Sequence, residues 1–309
     1  MTYRAGFDVT ELLYIKESTY GTTPSEGTWL PIWRVTNFDP RIIQVYKESV
    51  GLGSQVVTDF TRVKRYATAT FEHEILKKQD SPAYNWKDFF LYIVSSGQGG
   101  TPTNAIDSFS LGAKLDLETD EFWHLKGCKI QQYEIRGESI EDVVKARVTV
   151  WAQVASYGTT DYVTGTATRQ SNPTSSPVTF GEADVSVKVG ATTTSILEDL
   201  NSWTFTFTRT LQRKGTNSSD KTLYKSLVST AREYRLEIVR DFNSLSEFNQ
   251  FVNASDVTAV LEIPDASGGV KVTLGGGKWL EHETPKTELE LINLTLRAKF
   301  KTLTVEDIA

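Results

Sequence analysis

The sequence is poor in the residues that most chemistry needs. It has one cysteine, Cys128, in 309 residues, which excludes a disulfide framework and any cysteine-based zinc cluster. Three histidines, His73, His124 and His282, leave little for acid–base or metal chemistry. Long apolar runs are missing too. The longest unbroken one is Phe89-Phe90-Leu91-Tyr92-Ile93-Val94, against the ~20 residues a membrane helix needs. Residues 1–8 carry no apolar core, so no secretory signal is expected. Nor is there a surplus of positive charge. Lys and Arg number 33 against 39 Asp and Glu, a net charge of −6 with no basic tail or lobe, and tight binding to nucleic-acid phosphate requires one.

What is there is apolar mass in period-two order. Hydrophobic residues make up 39% and aromatics 11%, an ordinary globular composition, and the length suits two domains. Val144, Ala146, Val148 and Val150 alternate with Lys145, Arg147 and Thr149, which reads as a strand with one buried face. Ile292, Leu294, Leu296 and Ala298 do the same, and Trp203-Thr204-Phe205-Thr206-Phe207-Thr208 is aromatic and threonine in strict turn. Further strands are expected over 65–76, 110–117, 129–135, 233–239 and 257–263. Helix signals are few. Asn85 caps the run from Trp86 to a stop at Gly97, and Ser244 with Glu247 forms a capping box ahead of Phe248, Phe251 and Val252. The chain is therefore mainly β with two short helices. Residues 159–177, rich in Thr, Ser, Gly and Pro, have almost nothing to bury and read as the linker between domains.

The order of elements before this linker matches the order after it. Val35-Thr36-Asn37-Phe38 parallels Leu200-Asn201-Ser202-Trp203, and Asp88-Phe89-Phe90 parallels Glu247-Phe248-Asn249. Leu125-Lys126-Gly127-Cys128-Lys129-Ile130 parallels Leu274-Gly275-Gly276-Gly277-Lys278-Trp279, and the last alternating strands match with the same inward parity. Four matches in one order read as an internal duplication. The alternative is that β-rich domains resemble one another when compared this loosely.

No constellation for catalysis emerges. His73 and His282 each sit between two glutamates, but neighbours on a strand point to opposite faces, so three consecutive side chains cannot converge on one ion. Both are expected on solvated, charged strands, and His124 beside Trp123 in a packing or interface role. No nucleophile elbow or Gly-x-Gly-x-x-Gly turn is present, and Gly275-Gly276-Gly277 reads as a turn or bulge. The acidic run from Asp116 to Glu121 lacks the glycine and distal glutamate of a calcium loop. No catalytic residue, metal or cofactor is expected.

Two long polar stretches, 44–61 and 215–230, fall at the same place in each repeat and border basic segments. Insertions sharing one position usually share one working face. They read as arms reaching a neighbouring subunit, with Lys47, Glu48, Arg62, Lys64, Arg65, Arg213, Lys214 and Lys221 as candidate contacts.

Tyr20-Gly21-Thr22-Thr23-Pro24, Trp29-Leu30-Pro31-Ile32 and Val35-Thr36-Asn37-Phe38 resemble the start of tail tube proteins of long-tailed viruses, and Leu200-Asn201-Ser202-Trp203-Thr204-Phe205 continues the resemblance. It implies two tandem β-sandwich or half-barrel domains, 1–160 and 181–309, joined by a linker at 161–180, each with a short flanking helix. It further implies a non-enzymatic virion protein that self-assembles into stacked rings around a hollow tube. Rings of three such chains would have pseudo-sixfold symmetry, and hexamers are the other option. Other tail proteins would meet the tube ends, and DNA would pass through without specific binding. With no disulfides, assembly is expected in the reducing host cytoplasm. The competing reading is a non-catalytic sandwich that binds carbohydrate or a receptor, with exposed tryptophans lining a groove.

Overall fold

The computed structural model describes residues 9–50, 57–80, 82–94, 108–117, 119–189, 192–195, 200–217, 219–241, 256–265, 268–283 and 293–308. The first half runs β1 (Val9–Lys16), β2 (Thr28–Pro31), β3 (Val35–Val50), β4 (Val57–Glu74), the small hairpin β5 (Gln79–Asp80) and β6 (Ala83–Tyr84), helix α1 (Trp86–Val94), β7 (Phe109–Leu115), β8 (Glu121–Gly137), β9 (Lys145–Ala152) and β10 (Val154–Gly158). After β11 (Thr168–Arg169) and a 3-10 turn at Phe180–Glu182 comes the second half. It contains β12 (Asp184–Val189), β13 (Thr192–Ser195), β14 (Leu200–Lys214), β15 (Ser226–Asp241), β16 (Val257–Asp265), β17 (Gly268–Glu283), β18 (Asn293–Phe300) and β19 (Thr302–Ile308). The second expected helix, 244–253, lies outside the described residues.

Three antiparallel sheets result. One outer sheet has the order β2-β1-β7-β8-β10, and the other β13-β12-β16-β17-β19. The central sheet runs β3-β4-β9-β8-β14-β15-β18-β17 and joins the halves where β8 pairs with β14. β8 and β17 each belong to two sheets, and glycine makes the switch possible. Gly127 (φ 65°) and Gly276 (φ 62°) sit in the left-handed region at the point where each strand leaves its outer sheet for the central one. The triple glycine is thus a bulge inside one strand, not a link between two. At Gly127 the bend is held by buried Glu17, which accepts hydrogen bonds from the Gly127 and Gly21 amides and the Ser108 and Ser110 hydroxyls at 2.7–2.9 Å.

The register of the two halves agrees at four shifts and differs at two: Val9/Glu11 of β1–β7 and Ser49/Val50 of β3–β4 have no counterpart among the described residues. The β3–β4 ladder shifts between Val35 and Asn37 and between Val45 and Tyr46, and β14–β15 shifts at the matching Leu200/Ser202 and Thr210/Leu211. The β8–β9 ladder shifts at Ile130/Gln132 and β17–β18 at Trp279/Glu281. Phe109/Leu111 opposite β8 has its match in Val257/Ala259 opposite β17. Val154 opposite Lys126 matches Thr302 opposite Gly275. A bulge costs a ladder bond and redirects the strand, so the shared bulges bend both halves in the same way at those points.

Alternation places the core as expected. Ala146, Val148 and Val150 of β9, Trp203, Phe205 and Phe207 of β14, and Leu296 and Ala298 of β18 are all buried. Asn85 caps α1, its side-chain oxygen accepting the Lys87 amide at 3.0 Å. The helix lays Trp86, Phe89, Phe90 and Ile93 on the central sheet. Phe90 meets Phe207 at 4.9 Å and Tyr133 at 5.0 Å between ring centroids, so α1 covers the β8–β14 joint. Each such ring contributes about 1.5–3 kcal/mol by leaving water.

Two expectations fail. His73 is not solvated. It is buried because β4 is central in its sheet, with β3 on one side and β9 on the other, and its ring lies on the core face. Its Nε2 lies 3.2 Å from the Tyr133 hydroxyl and its Nδ1 3.0 Å from the Glu74 carbonyl. The linker also has something to bury. Tyr162 packs on Trp29 at 4.9 Å, Val178 and Phe180 enter the core, and β11 pairs with β2. A few apolar residues spaced along a polar segment suffice to pin it, and composition averages them away.

Candidate assembly surface

The central sheet ends in two edges that have no strand beside them among the described residues, β3 on one side and 278–283 of β17 on the other. Edges with free amides and carbonyls invite pairing with another chain. The apolar exposure collects there as well. Of eight large hydrophobic residues exposed among the described ones, Ile42, Val45, Tyr46, Phe60 and Val63 are on the β3–β4 hairpin and Leu280 is on β17. Beside the first edge lies a recess of about 520 Å³ lined by Val35, Phe38, Pro40, Leu115, Trp123 and Tyr157.

The candidate arm residues divide between the halves. Lys47 and Glu48 lie exposed on β3, and Arg62 exposed on β4. The described part of their stretch is paired strand, belonging to the β3–β4 ladder. In the second half the arm folds back over the first half. Arg213 stacks between Tyr66 and Trp151, its guanidinium carbon 3.5 and 3.7 Å from the ring centroids. Burial pulls that guanidinium's pKa down. Arg65 pairs with Asp220 at 2.7 Å, and Lys64 donates to the Thr216 hydroxyl and the Lys221 carbonyl. The Thr222 hydroxyl and amide, with Arg65, hold the Asp220 carboxyl down at about 2. Lys221 thus takes part through its backbone, and Lys214 stays exposed at the end of β14. What composition could not reveal is the aromatic share of this contact: Tyr66, Trp151 and Tyr224 surround a residue marked only by its charge.

His73 and His124 serve packing. Burial lowers the pKa of His73 to about 4, and burial with nearby Lys126 does the same for His124. His124 lies 2.9 Å from the Thr23 hydroxyl and packs edge-on to Trp29, as its expected packing role requires. His282 falls on the backbone of β17. Burial pushes the Cys128 thiol pKa well up, which keeps it unreactive. Among the described residues no three His, Cys, Asp or Glu side chains are grouped as a metal site. No helix among them is long and apolar enough to cross a membrane. Of the seven tryptophans none is fully exposed, and Trp123 lines the recess beside the β3 edge.

The chain is mainly β, with one central sheet joining its two halves and two edges of that sheet left open among the described residues. The family model described as phage tail tube protein matches residues 8–298, and the chain belongs to that family. It is a structural component of a virion tail. Among solved structures, a chain of the anti-feeding prophage (AFP) baseplate, determined by cryo-electron microscopy with sixfold symmetry, is similar at 11% identity and a TM-score of 0.30. That likeness covers 42% of this chain and 96% of the other, and is too weak to add to the family membership. No curated protein matches.

Proposed function

We propose that this chain is a tube subunit carrying two tandem tube folds, 1–160 and 181–309, joined by 161–180. Copies associate into rings that stack into a hollow tail tube for DNA delivery. Three chains per ring, giving pseudo-sixfold symmetry, is the favoured count. The shared set of bulges supports the duplication, since unrelated sandwiches have no reason to place register shifts at equivalent positions. The observation that carries the assembly is the apolar edge of β3, where Ile42 is 45% and Tyr46 49% exposed. A monomer gains nothing from such exposure, and a ring covers it. The arms lie against neighbouring folds in the assembly, within the chain for the second and between chains for the first. A net charge of −6 suits a conduit along which DNA slides without sticking. Assembly takes place in the host cytoplasm, other tail proteins cap the ends, and no step calls for catalysis.

Cryo-electron microscopy of the purified protein over a concentration series tests this. Rings or tubes that grow with concentration, three chains to a ring, are expected. Monomers alone at millimolar concentration would refute it.

A further inference from the structure

The chain carries a template for its own contact with a second copy. Inside the molecule β8 pairs with β14 in a fixed antiparallel register: Glu134 opposite Thr206, Tyr133 opposite Phe207 and Gln132 opposite Thr208. The matched bulges equate β14 with β3 and β8 with β17. Thr206, Phe207 and Thr208 correspond to Arg41, Ile42 and Ile43. Glu134, Tyr133 and Gln132 correspond to Glu283, His282 and Glu281. These second members lie on the strands left open, among the described residues, at the two edges of the central sheet.

We propose that the β17 edge of one copy adds to the β3 edge of the next in the register of the internal joint, with Arg41 opposite Glu283, Ile42 opposite His282 and Ile43 opposite Glu281. This rests on the ring-forming reading above and specifies its contact.

Burial supports the assignment of a second copy as the occupant. Phe207, flanked by β8 and β15, is fully buried, whereas the equivalent Ile42, flanked by β4 alone among the described strands, is 45% exposed. Arg209 and Leu211 are buried, and their equivalents Gln44 and Tyr46 are exposed. Trp203 lies against Phe180 and the bare backbone of Gly137, where a Cβ would come 2.7 Å from the indole nitrogen. Its equivalent Phe38 faces the recess instead. Half of an interface is therefore present at the β3 edge, and it matches the half already satisfied at β14 within the chain. A contact between two different edges is head-to-tail, which generates a closed ring when its rotation closes. It also requires no surface that the internal joint has consumed.

Paired cysteines read the register directly. The full chain carrying Ile42→Cys with His282→Cys, or Arg41→Cys with Glu283→Cys, is concentrated until rings are seen by electron microscopy. It is then oxidised and separated on a denaturing gel without reductant. Opposed positions on adjacent antiparallel strands have Cα atoms about 4.5–5.5 Å apart, within disulfide reach. Both pairs are expected to give a ladder of linked chains that ends at the ring number, and each single variant none. The offset pair Ile42→Cys with Leu280→Cys is expected to give at least tenfold less product. Rings that form without linking in either pair, that link best through the offset pair, or that give a dimer from Ile42→Cys alone would overturn the register while leaving the tube reading intact. A chain that stays monomeric under every condition would overturn both.

Discussion

β3 and β14 occupy equivalent places in the two halves, in different circumstances. Both begin with a register shift two residues from the start, both shift again ten residues on, and both turn matching side chains toward one face. They differ in company. β14 has β8 along its outer side, and β3 has no neighbour there among the described residues. Burial follows company rather than sequence. Phe207 is fully buried and Ile42 half in water, though each is the large apolar residue at its position. An apolar residue on an edge strand is therefore informative only when its partnered twin is known.

The largest predicted effect breaks the comparison at this pair. Phe207→Ala removes a ring that touches Phe90 and lies across from Tyr133, so the isolated chain is expected to lose about 3–5 kcal/mol by chemical denaturation. Ile42→Ala in the same dilute conditions is expected to change stability by less than about 0.5 kcal/mol. Under concentrated conditions the order of interest reverses, because Ile42→Ala is expected to raise the concentration needed for assembly. Equal losses from the two substitutions in the monomer would mean that the edges are not in different states.

Acid separates the halves next. Both histidines with lowered pKa, His73 and His124, belong to the first half, and their counterparts in the second are Arg240 and Thr273. His73 is neutral in the fold down to about pH 4, whereas unfolded histidine takes up its proton near 6.5. Between these values the unfolded chain binds more protons, so stability is highest above pH 6.5 and falls as pH drops toward 4. The loss attributable to His73 approaches about 3 kcal/mol. Denaturation midpoints from pH 7 to 4, compared with those of His73→Gln, check this, with a flatter slope expected for the variant. An unchanged slope would place the acid response elsewhere.

Much of this was legible in the sequence, and the misses have one cause. Alternation located the strands because one face is buried almost everywhere, and Asn85 marked the helix start by its capping chemistry. Three of the four sequence matches fall at equivalent structural positions, and the fourth pairs 88–90 with 247–249, which lie outside the described residues. Gly127 and Gly276 align because both must reach positive φ at the same bend. What the chain order could not convey was which strand lies in the middle of a sheet. His73 looks exposed between two glutamates, and only the packing of β3 and β9 on either side of β4 makes it a core residue. The same ignorance of neighbours hid the aromatic cradle of Arg213.

The two switch glycines sharpen the comparison further. A side chain at Gly276 would meet only Lys301, at 3.6 Å, so Gly276→Ala is expected to cost the left-handed penalty alone, about 1–2 kcal/mol. At Gly127 a Cβ would press to 2.9 Å from Gln153 Cβ and 3.0 Å from the Tyr20 ring, and Glu17 fixes the amide. Gly127→Ala is therefore expected to cost at least about 1 kcal/mol more than its twin. Thermal denaturation of both variants measures the gap, and a Gly276 variant that proves the worse would show that the two bends are not built alike.

The smallest effect concerns the arms. Arg213 and Glu48 occupy equivalent places, one facing Leu227 and the other Phe60 across its hairpin. Arg213 has found its site within the chain, between Tyr66 and Trp151. Replacing it with alanine is expected to cost about 1–2 kcal/mol, the value of a partly desolvated cation over aromatic faces. Glu48→Ala is expected to leave the isolated chain unchanged, since Glu48 is exposed on β3. The positions equivalent to Tyr66 and Trp151 are Glu233 and Lys299, already paired at 3.1 Å, with Arg235 also on Glu233, so the site that Glu48 would meet in a ring is charged rather than aromatic. Its contribution is then electrostatic and screened, and assembly of the Glu48→Ala chain should differ from that of the parent at low salt and converge on it near 1 M. A difference that persists at high salt would mean that the first arm docks by packing, as the second one does.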